Sequence, residues 1–255
     1  MVYANVPYGA LLLLAQIRRV ETGRGDPAAY NTIYGHKEGK LKKPLTEFTV
    51  DEVIEAQRAW SKNHRSSAAG AYQFIRKTLV GLVAEIGIKG SEKFGPALQD
   101  QLAYRLLLRR GYSKFIVGDL DVTAFGRQLA MEWASFPVLA DGPGAHRKVK
   151  RGQSYYAGDG LNKALIAPEQ VERLLKHVRQ AATAPAAAPK PQPQPEPQTP
   201  AGGHPVESYE DAVRGDDAPA KPRGGLLGFL IVLIIIGGIA WLIWAVTSGI
   251  ELGVL

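Results

Sequence analysis

The chain reads as a mainly α-helical protein of α+β type, a helical lobe with a small β-hairpin, followed by a disordered linker and one transmembrane helix. Three observations predict this. Apolar residues recur three and four positions apart over most of the first 180 residues, the period of an amphipathic helix. Capping residues and glycines bracket these runs where helices start and stop. Alternating β-branched stretches are scarce. The first helix is expected over Tyr8–Glu21, with Leu11 to Leu14, Ile17 and Val20 continuing one period, and it stops at Thr22-Gly23. Gly25, Asp26 and Pro27 then form a loop leading to Tyr30 and Asn31. A second helix starts after Thr49, where Thr49-Val50-Asp51-Glu52 has the capping-box spacing, and runs to about Trp60. A third, from near Ala71 to Gly87, carries Phe74, Ile75, Leu79, Leu82 and Val83 on its inner side. A fourth has Pro96 in its first turn and Leu98, Leu102, Ala103, Leu106 and Leu107 on its apolar face, ending at Arg109-Arg110-Gly111. The fifth covers Val122–Ser135 and the sixth Pro168–Gln180. Residues 31–36 and 45–48 are the best strand candidates and would pair as the hairpin.

Composition divides the chain into three parts: a folded domain over 1–180, a linker over 181–223 and an anchor over 224–255. The linker contains APAAAPKPQPQPEPQTP and has almost nothing apolar to bury. Extended as polyproline II at ~3.1 Å per residue, it reaches at most on the order of 130 Å. Leu226–Val246 is then an apolar run of 21 residues without a charge, long enough to cross a bilayer, with Trp241 and Trp244 placed as interfacial anchors. Leu11 to Leu14 lack the basic flank and cleavage site of a signal peptide and belong to a core helix.

The net charge of +7 is unevenly spread: residues 1–180 carry 27 basic and 17 acidic side chains, the remainder 4 and 7. A domain at +10 favours an anionic partner, whether nucleic acid, lipid surface or cell-wall polymer, although solubility alone also explains surface lysines and arginines. No helix-turn-helix spacing or base-stacking aromatic series supports nucleic acid. The absence of cysteine excludes disulfides and thiolate catalysis, and the five histidines show no metal-ligand spacing, so neither a metal nor a cofactor is expected.

Leu14, Ile17 and Glu21 lie three and four residues apart, which puts a carboxylate on the apolar face of the first helix. Desolvation there raises its pKa, as a general acid working near neutral pH requires. A solvated glutamate in a last helical turn is the plain alternative. A second segment, Ser66-Ser67-Ala68-Ala69-Gly70-Ala71-Tyr72-Gln73, offers small residues that let backbone approach a sugar, with Tyr72 and Gln73 for stacking and amide hydrogen bonds. It reads equally well as a Ser-capped helix start with Tyr72 in the core.

Four segments in register carry a family resemblance: Arg19-Val20-Glu21-Thr22-Gly23 with Tyr30-Asn31 and Gly35; Ser66 to Gln73; Leu98-Gln99-Asp100; and Trp133-Ala134-Ser135-Phe136-Pro137. Over about Ala10–Pro137 the chain resembles the phage lambda endolysin group of lysozyme-like lytic transglycosylases and the related phage muramidases. The resemblance implies a lysozyme-like fold, bacterial peptidoglycan as substrate, and cleavage of the β-1,4 bond between N-acetylmuramic acid and N-acetylglucosamine in phage-type host lysis or virion entry, with Glu21 as catalytic acid. In a lytic transglycosylase the same residue then acts as base toward the muramoyl 6-hydroxyl, so no second carboxylate is required. A hydrolase needs a partner, for which Asp26, Glu38 and Glu47 are the nearby candidates. Asp26 reads more readily as a turn former that bonds its own backbone.

Tyr30, Asn31, Ser66, Ser67, Tyr72 and Gln73 are the expected substrate-binding residues. Gln99 and Asp100 suit the first turn of their helix, where the macrodipole favours an acid. Trp133 reads as core. Pro44 to Phe48 departs from the lambda-type pattern, which carries an aromatic, acidic and histidine-containing stretch there, and residues after Pro137 lie outside the resemblance. A lysozyme-like domain that binds glycan without cutting it is the alternative function. Lys221 and Arg223 precede the apolar run and Glu251 follows it, which places the domain in the cytoplasm by the positive-inside rule while its implied substrate lies outside. Late insertion during lysis, or delivery within a virion, resolves that conflict.

Overall fold

A computed structural model describes residues 6–64 and 66–183. Seven α-helices stand in it: α1 (Tyr8–Thr22), α2 (Val50–His64), α3 (Arg76–Ile86), α4 (Pro96–Arg109), α5 (Tyr112–Val117), α6 (Val122–Glu132) and α7 (Pro168–Thr183). The linker expected from residue 181 begins later, because residues 181–183 continue α7; the rest of it, from residue 184, and the apolar run Leu226–Val246 lie outside the described residues. Among the described residues no helix is long and apolar enough to cross a membrane.

Helix α1 packs against α7 and α4, while α3 joins α2 to α4 and the short α5 braces α4, α6 and α7. Of the apolar residues the periodicity marks on α1, Leu13, Leu14 and Ile17 are buried together with Ala10, whereas Leu11 is exposed and Leu12 and Val20 are half-buried at the edge of that face. Burying each larger aliphatic side chain contributes ~1.5–3 kcal/mol. Helix α4 buries Leu98, Leu102, Ala103, Leu106 and Leu107, and α7 buries Val171, Leu175 and Val178. The capping box at α2 forms as its spacing predicts. Glu52 N donates to Thr49 Oγ1 at 3.2 Å, and Thr49 N donates back to the Glu52 carboxylate at 2.7 Å.

The expected hairpin does not form. Residues 27–47 fold instead into four 3-10 turns, Pro27–Asn31, Tyr34–His36, Glu38–Lys40 and Leu45–Glu47. Asn31 Oδ1 accepts from both Thr46 N (3.0 Å) and Thr46 Oγ1 (3.1 Å), so a side chain takes the donor that a strand ladder needs. His36, at φ 54°, breaks the extended run again. The antiparallel pair lies elsewhere, β1 (Gly142–Pro143) against β2 (Lys148–Val149), with Gly142 opposite Val149.

Helix α3 starts five residues later than the periodicity suggests. Ala69 and Phe74 exchange two backbone hydrogen bonds, 3.1 and 2.9 Å, which closes the intervening residues into a tight loop. Gly70, at φ 77°, makes that turn. A Cβ on it would lie 2.4 Å from Gln99 Oε1, so only glycine fits. Helix α6 ends at Glu132 rather than Ser135, and α5, enclosed by Gly111 and Gly118, is too short to show a helical period. The basic cluster Lys148-Val149-Lys150-Arg151 is largely held within the fold: Val149 is buried, Lys150 pairs with Asp141 at 2.8 Å, and Arg151 reaches Glu169 and Glu172 of α7 at 2.9 and 2.6 Å.

Candidate active site

Glu21 stands in the last turn of α1, which Gly23 terminates in the left-handed conformation (φ 68°). Thr22 secures this end, donating its hydroxyl to Arg18 O at 2.8 Å and accepting from Arg24 N at 3.2 Å. Glu21 is 3 % exposed and is the only aspartate or glutamate among the described residues that is buried as a whole residue. Burial pushes its pKa from 4.5 up to about 7, against the opposing effect of one hydrogen bond from Ser135. The negative end of the α1 dipole further disfavours its ionised form. Ser135 Oγ donates to Glu21 Oε1 across 114 residues of sequence. That serine sits in the loop after α6, held by Phe136 N on Trp133 O (2.9 Å) and by Leu165 N on its own carbonyl (2.8 Å). Trp133 is 2 % exposed and is core, as expected.

A polar network lies one helical turn before Glu21. Arg18 Nη1 donates to Tyr30 Oη at 2.6 Å, and its guanidinium covers the Tyr30 ring at 5.0 Å. Tyr30 and Tyr72 both donate to Asp100 Oδ1, at 2.8 and 2.5 Å. Burial, then the charge of Asp100, pushes the Tyr30 phenol up to about 12 and the Tyr72 phenol upward as well, so both remain donors at every working pH. Asp100 therefore anchors two tyrosines from different segments, a larger role than the helix dipole alone supplies. Gln99 beside it is fully buried. It accepts from Ala71 N (2.8 Å) and donates to Tyr30 O (3.0 Å) and Phe94 O (2.8 Å), binding the loop 66–73 to the Tyr30 turn.

The other expected binding residues turn their polar groups inward. Asn31 holds Thr46, as described. Ser66 Oγ accepts from Ala68 N at 3.4 Å, and Ser67 Oγ accepts from Arg76 N at 3.0 Å, capping α3. Gln73, at φ 50°, donates from Nε2 to Gly70 O at 2.8 Å. Asp26 is exposed and caps the Pro27–Asn31 turn through Ala28 N at 2.9 Å. Glu38 pairs with Arg24 at 3.2 Å, and its Oε2 is buried without a hydrogen-bond partner.

The site thus gathers the C-terminal end of α1, the Tyr30 turn, the loop 66–73, the start of α4 and the loop after α6. Each of the four resemblance segments contributes to it. A family model for endolysins matches residues 14–161. The chain belongs to the endolysin family. No curated protein and no solved structure matches it. As an endolysin it is a phage-type enzyme that degrades the bacterial cell wall, and peptidoglycan is its substrate. The family match runs past Pro137, where the recognisable motifs stop, and takes in β1 and β2.

Sequence reasoning did not select Ser135, Arg18 or Asp100 as partners in the site of this endolysin. Ser135 was legible as a member of the Trp133–Pro137 segment, and Arg18 by its place one turn from Glu21. Among the described residues no group of three or more histidines and carboxylates could hold a metal ion.

Proposed function

We propose that this endolysin is a lytic transglycosylase that cleaves the β-1,4 bond between N-acetylmuramic acid and N-acetylglucosamine, with Glu21 as its single acid and base. The observation that carries this reading is a buried carboxyl with pKa about 7, held on one oxygen by Ser135. With Oε1 accepting from Ser135, the proton resides on Oε2. Glu21 gives it to the glycosidic oxygen as the bond from that oxygen to C1 of the muramoyl residue breaks. The resulting carboxylate takes the proton of the muramoyl 6-hydroxyl, whose oxygen bonds C1 and closes the anhydro ring, and the acid is restored. No water enters the products. Tyr30, Asn31, Ser66, Ser67, Tyr72 and Gln73 act in this scheme mainly by fixing the backbone that receives the glycan, with Arg18 and Asp100 holding the two tyrosines.

Hydrolysis is the second reading, and Glu38 favours it. Its buried, unpartnered Oε2 is the kind of acceptor that positions a water. Asp26, engaged as a cap, is a weaker candidate for that role. Digestion of purified peptidoglycan followed by mass spectrometry of the product ends separates the two. Anhydro-muramoyl ends, one water lighter, support the transglycosylase; reducing ends support the hydrolase. If Glu21→Gln leaves wall cleavage intact, both are refuted.

The apolar run Leu226–Val246 would tether the enzyme to a membrane as a single span, leaving the domain to act on the periplasmic wall. Protease protection in intact spheroplasts tests the resting orientation. A domain already outside before lysis would refute a cytoplasmic tether.

A further inference from the structure

A groove of about 630 Å³ lies between α1 and the segment that enters α7, and it does not include Glu21. Its partly buried apolar surface comes from Val20, Ile166 and Leu174, extended by Leu165, which is 43 % exposed. Two exposed arginines, Arg19 and Arg173, flank it from opposite helices. The Arg19 side chain has no hydrogen bond or ion pair among the described residues. Arg173 has only a Coulombic interaction with Glu169, whose carboxylate is hydrogen-bonded to Arg151 at 2.9 Å. Gln16 and Gln170 add two side-chain amides.

The groove is separate from the acid but adjoins it. Arg19 and Glu21, two positions apart on a helix, point about 200° apart. Gly23, next but one to Glu21, lines the groove, and Leu165 N donates to the carbonyl of Ser135, the residue that bonds Glu21. The chemistry of the lining selects its ligand. No aromatic ring lines it to stack a pyranose or a base. Its apolar atoms lie in a depression, whereas a membrane surface is met by a protruding face. Exposed guanidiniums over aliphatic surface, neither of them hydrogen-bonded to a carboxylate, with amides at the side, match a short aliphatic peptide bearing free carboxylates.

We propose that this groove binds the stem peptide of peptidoglycan, the short alanine-rich, carboxylate-bearing chain carried by muramoyl residues. The proposal rests on the reading of Glu21 as the wall-cutting acid. It makes the endolysin a reader of peptide substitution as well as of glycan: Arg19 and Arg173 hold peptide carboxylates while the attached sugar lies at Glu21.

The test uses the full chain in mild detergent. The synthetic tetrapeptide L-alanyl-γ-D-glutamyl-diaminopimelyl-D-alanine is titrated into the wild type, Arg19→Gln/Arg173→Gln, and Arg19→Lys/Arg173→Lys. Losing both charge-assisted contacts should weaken peptide binding about tenfold or more, with partial recovery in the lysine variant. Cleavage is then measured on intact peptidoglycan and on glycan stripped of its peptides. The expected glutamine-variant defect is a KM increase of about tenfold on the intact wall, absent on stripped glycan. Failure of the wild type to bind the tetrapeptide, equal binding by wild type and glutamine variant, or an equal KM defect on both substrates overturns the proposal. Should the wild type cleave neither substrate, the Glu21 reading fails, and the peptide titration still decides the groove independently.

Discussion

Replacing Glu21 by Gln should stabilise the folded protein in a pH-dependent way even as it removes activity. In the unfolded chain the Glu21 carboxyl titrates at its ordinary value of 4.5, and in the fold at about 7. The folded-state pKa is the higher one, so between these values the native state holds a proton that the unfolded state has released. Below pH 4.5 both states are protonated and burial of this carboxyl carries no ionisation cost. As pH rises stability is lost progressively, and above pH 7 the loss is complete. At ~1.4 kcal/mol for each tenfold change in acidity constant, the difference reaches about 3 kcal/mol. Glutamine keeps the shape and still accepts from Ser135, but it does not ionise. The assay is urea unfolding of wild type and Glu21→Gln between pH 4 and pH 8, taking the difference between the two proteins so that every other titrating group cancels. The expected difference grows by about 3 kcal/mol in favour of Gln as pH rises from 4.5 to 7 and is flat on either side. A difference that does not change with pH would refute the argument that burial strains this carboxylate.

Ser135→Ala removes the donor that stabilises the ionised form of Glu21. A hydrogen bond to a charged group is worth ~1.5–3 kcal/mol, so the alkaline limb of the pH–rate profile should move from near 7 to higher pH by roughly 1–2. A limb that stays put removes Ser135 from the mechanism. Gly70→Ala places a Cβ 2.4 Å from Gln99 Oε1 at φ 77° and should cost roughly 2–4 kcal/mol of stability, read by chemical denaturation. Gln99→Leu leaves Ala71 N, Tyr30 O and Phe94 O without their buried partner. It should cost at least ~3 kcal/mol and lower the melting temperature, with activity falling because the loop 66–73 loses its tie to the Tyr30 turn.

What the amino-acid sequence by itself determined was local. Helical period placed the buried face of α4 and, on α1, Leu13, Leu14 and Ile17, because that period is written in adjacent residues and burial only enforces it. The capping box of α2 was equally legible, since all its atoms lie within four residues. Glu21 itself stood out as a carboxyl on an apolar face. Tertiary structure alone decided the rest. Whether residues 31–48 form strands depended on Asn31 taking Thr46 N, fifteen positions away, and the apolar pattern carries no sign of that bond. Asp100 became the anchor of Tyr30 and Tyr72 only because folding brings together groups 70 and 28 positions apart. The carboxyl of Glu21 acquired its partner only when the loop carrying Ser135 closed over the end of α1. A hydrogen bond needs its two atoms within about 3 Å, and no sequence period encodes that distance across 114 residues. Sequence could nominate the acid; the tertiary fold set the burial and the hydrogen bond that hold its pKa near neutrality.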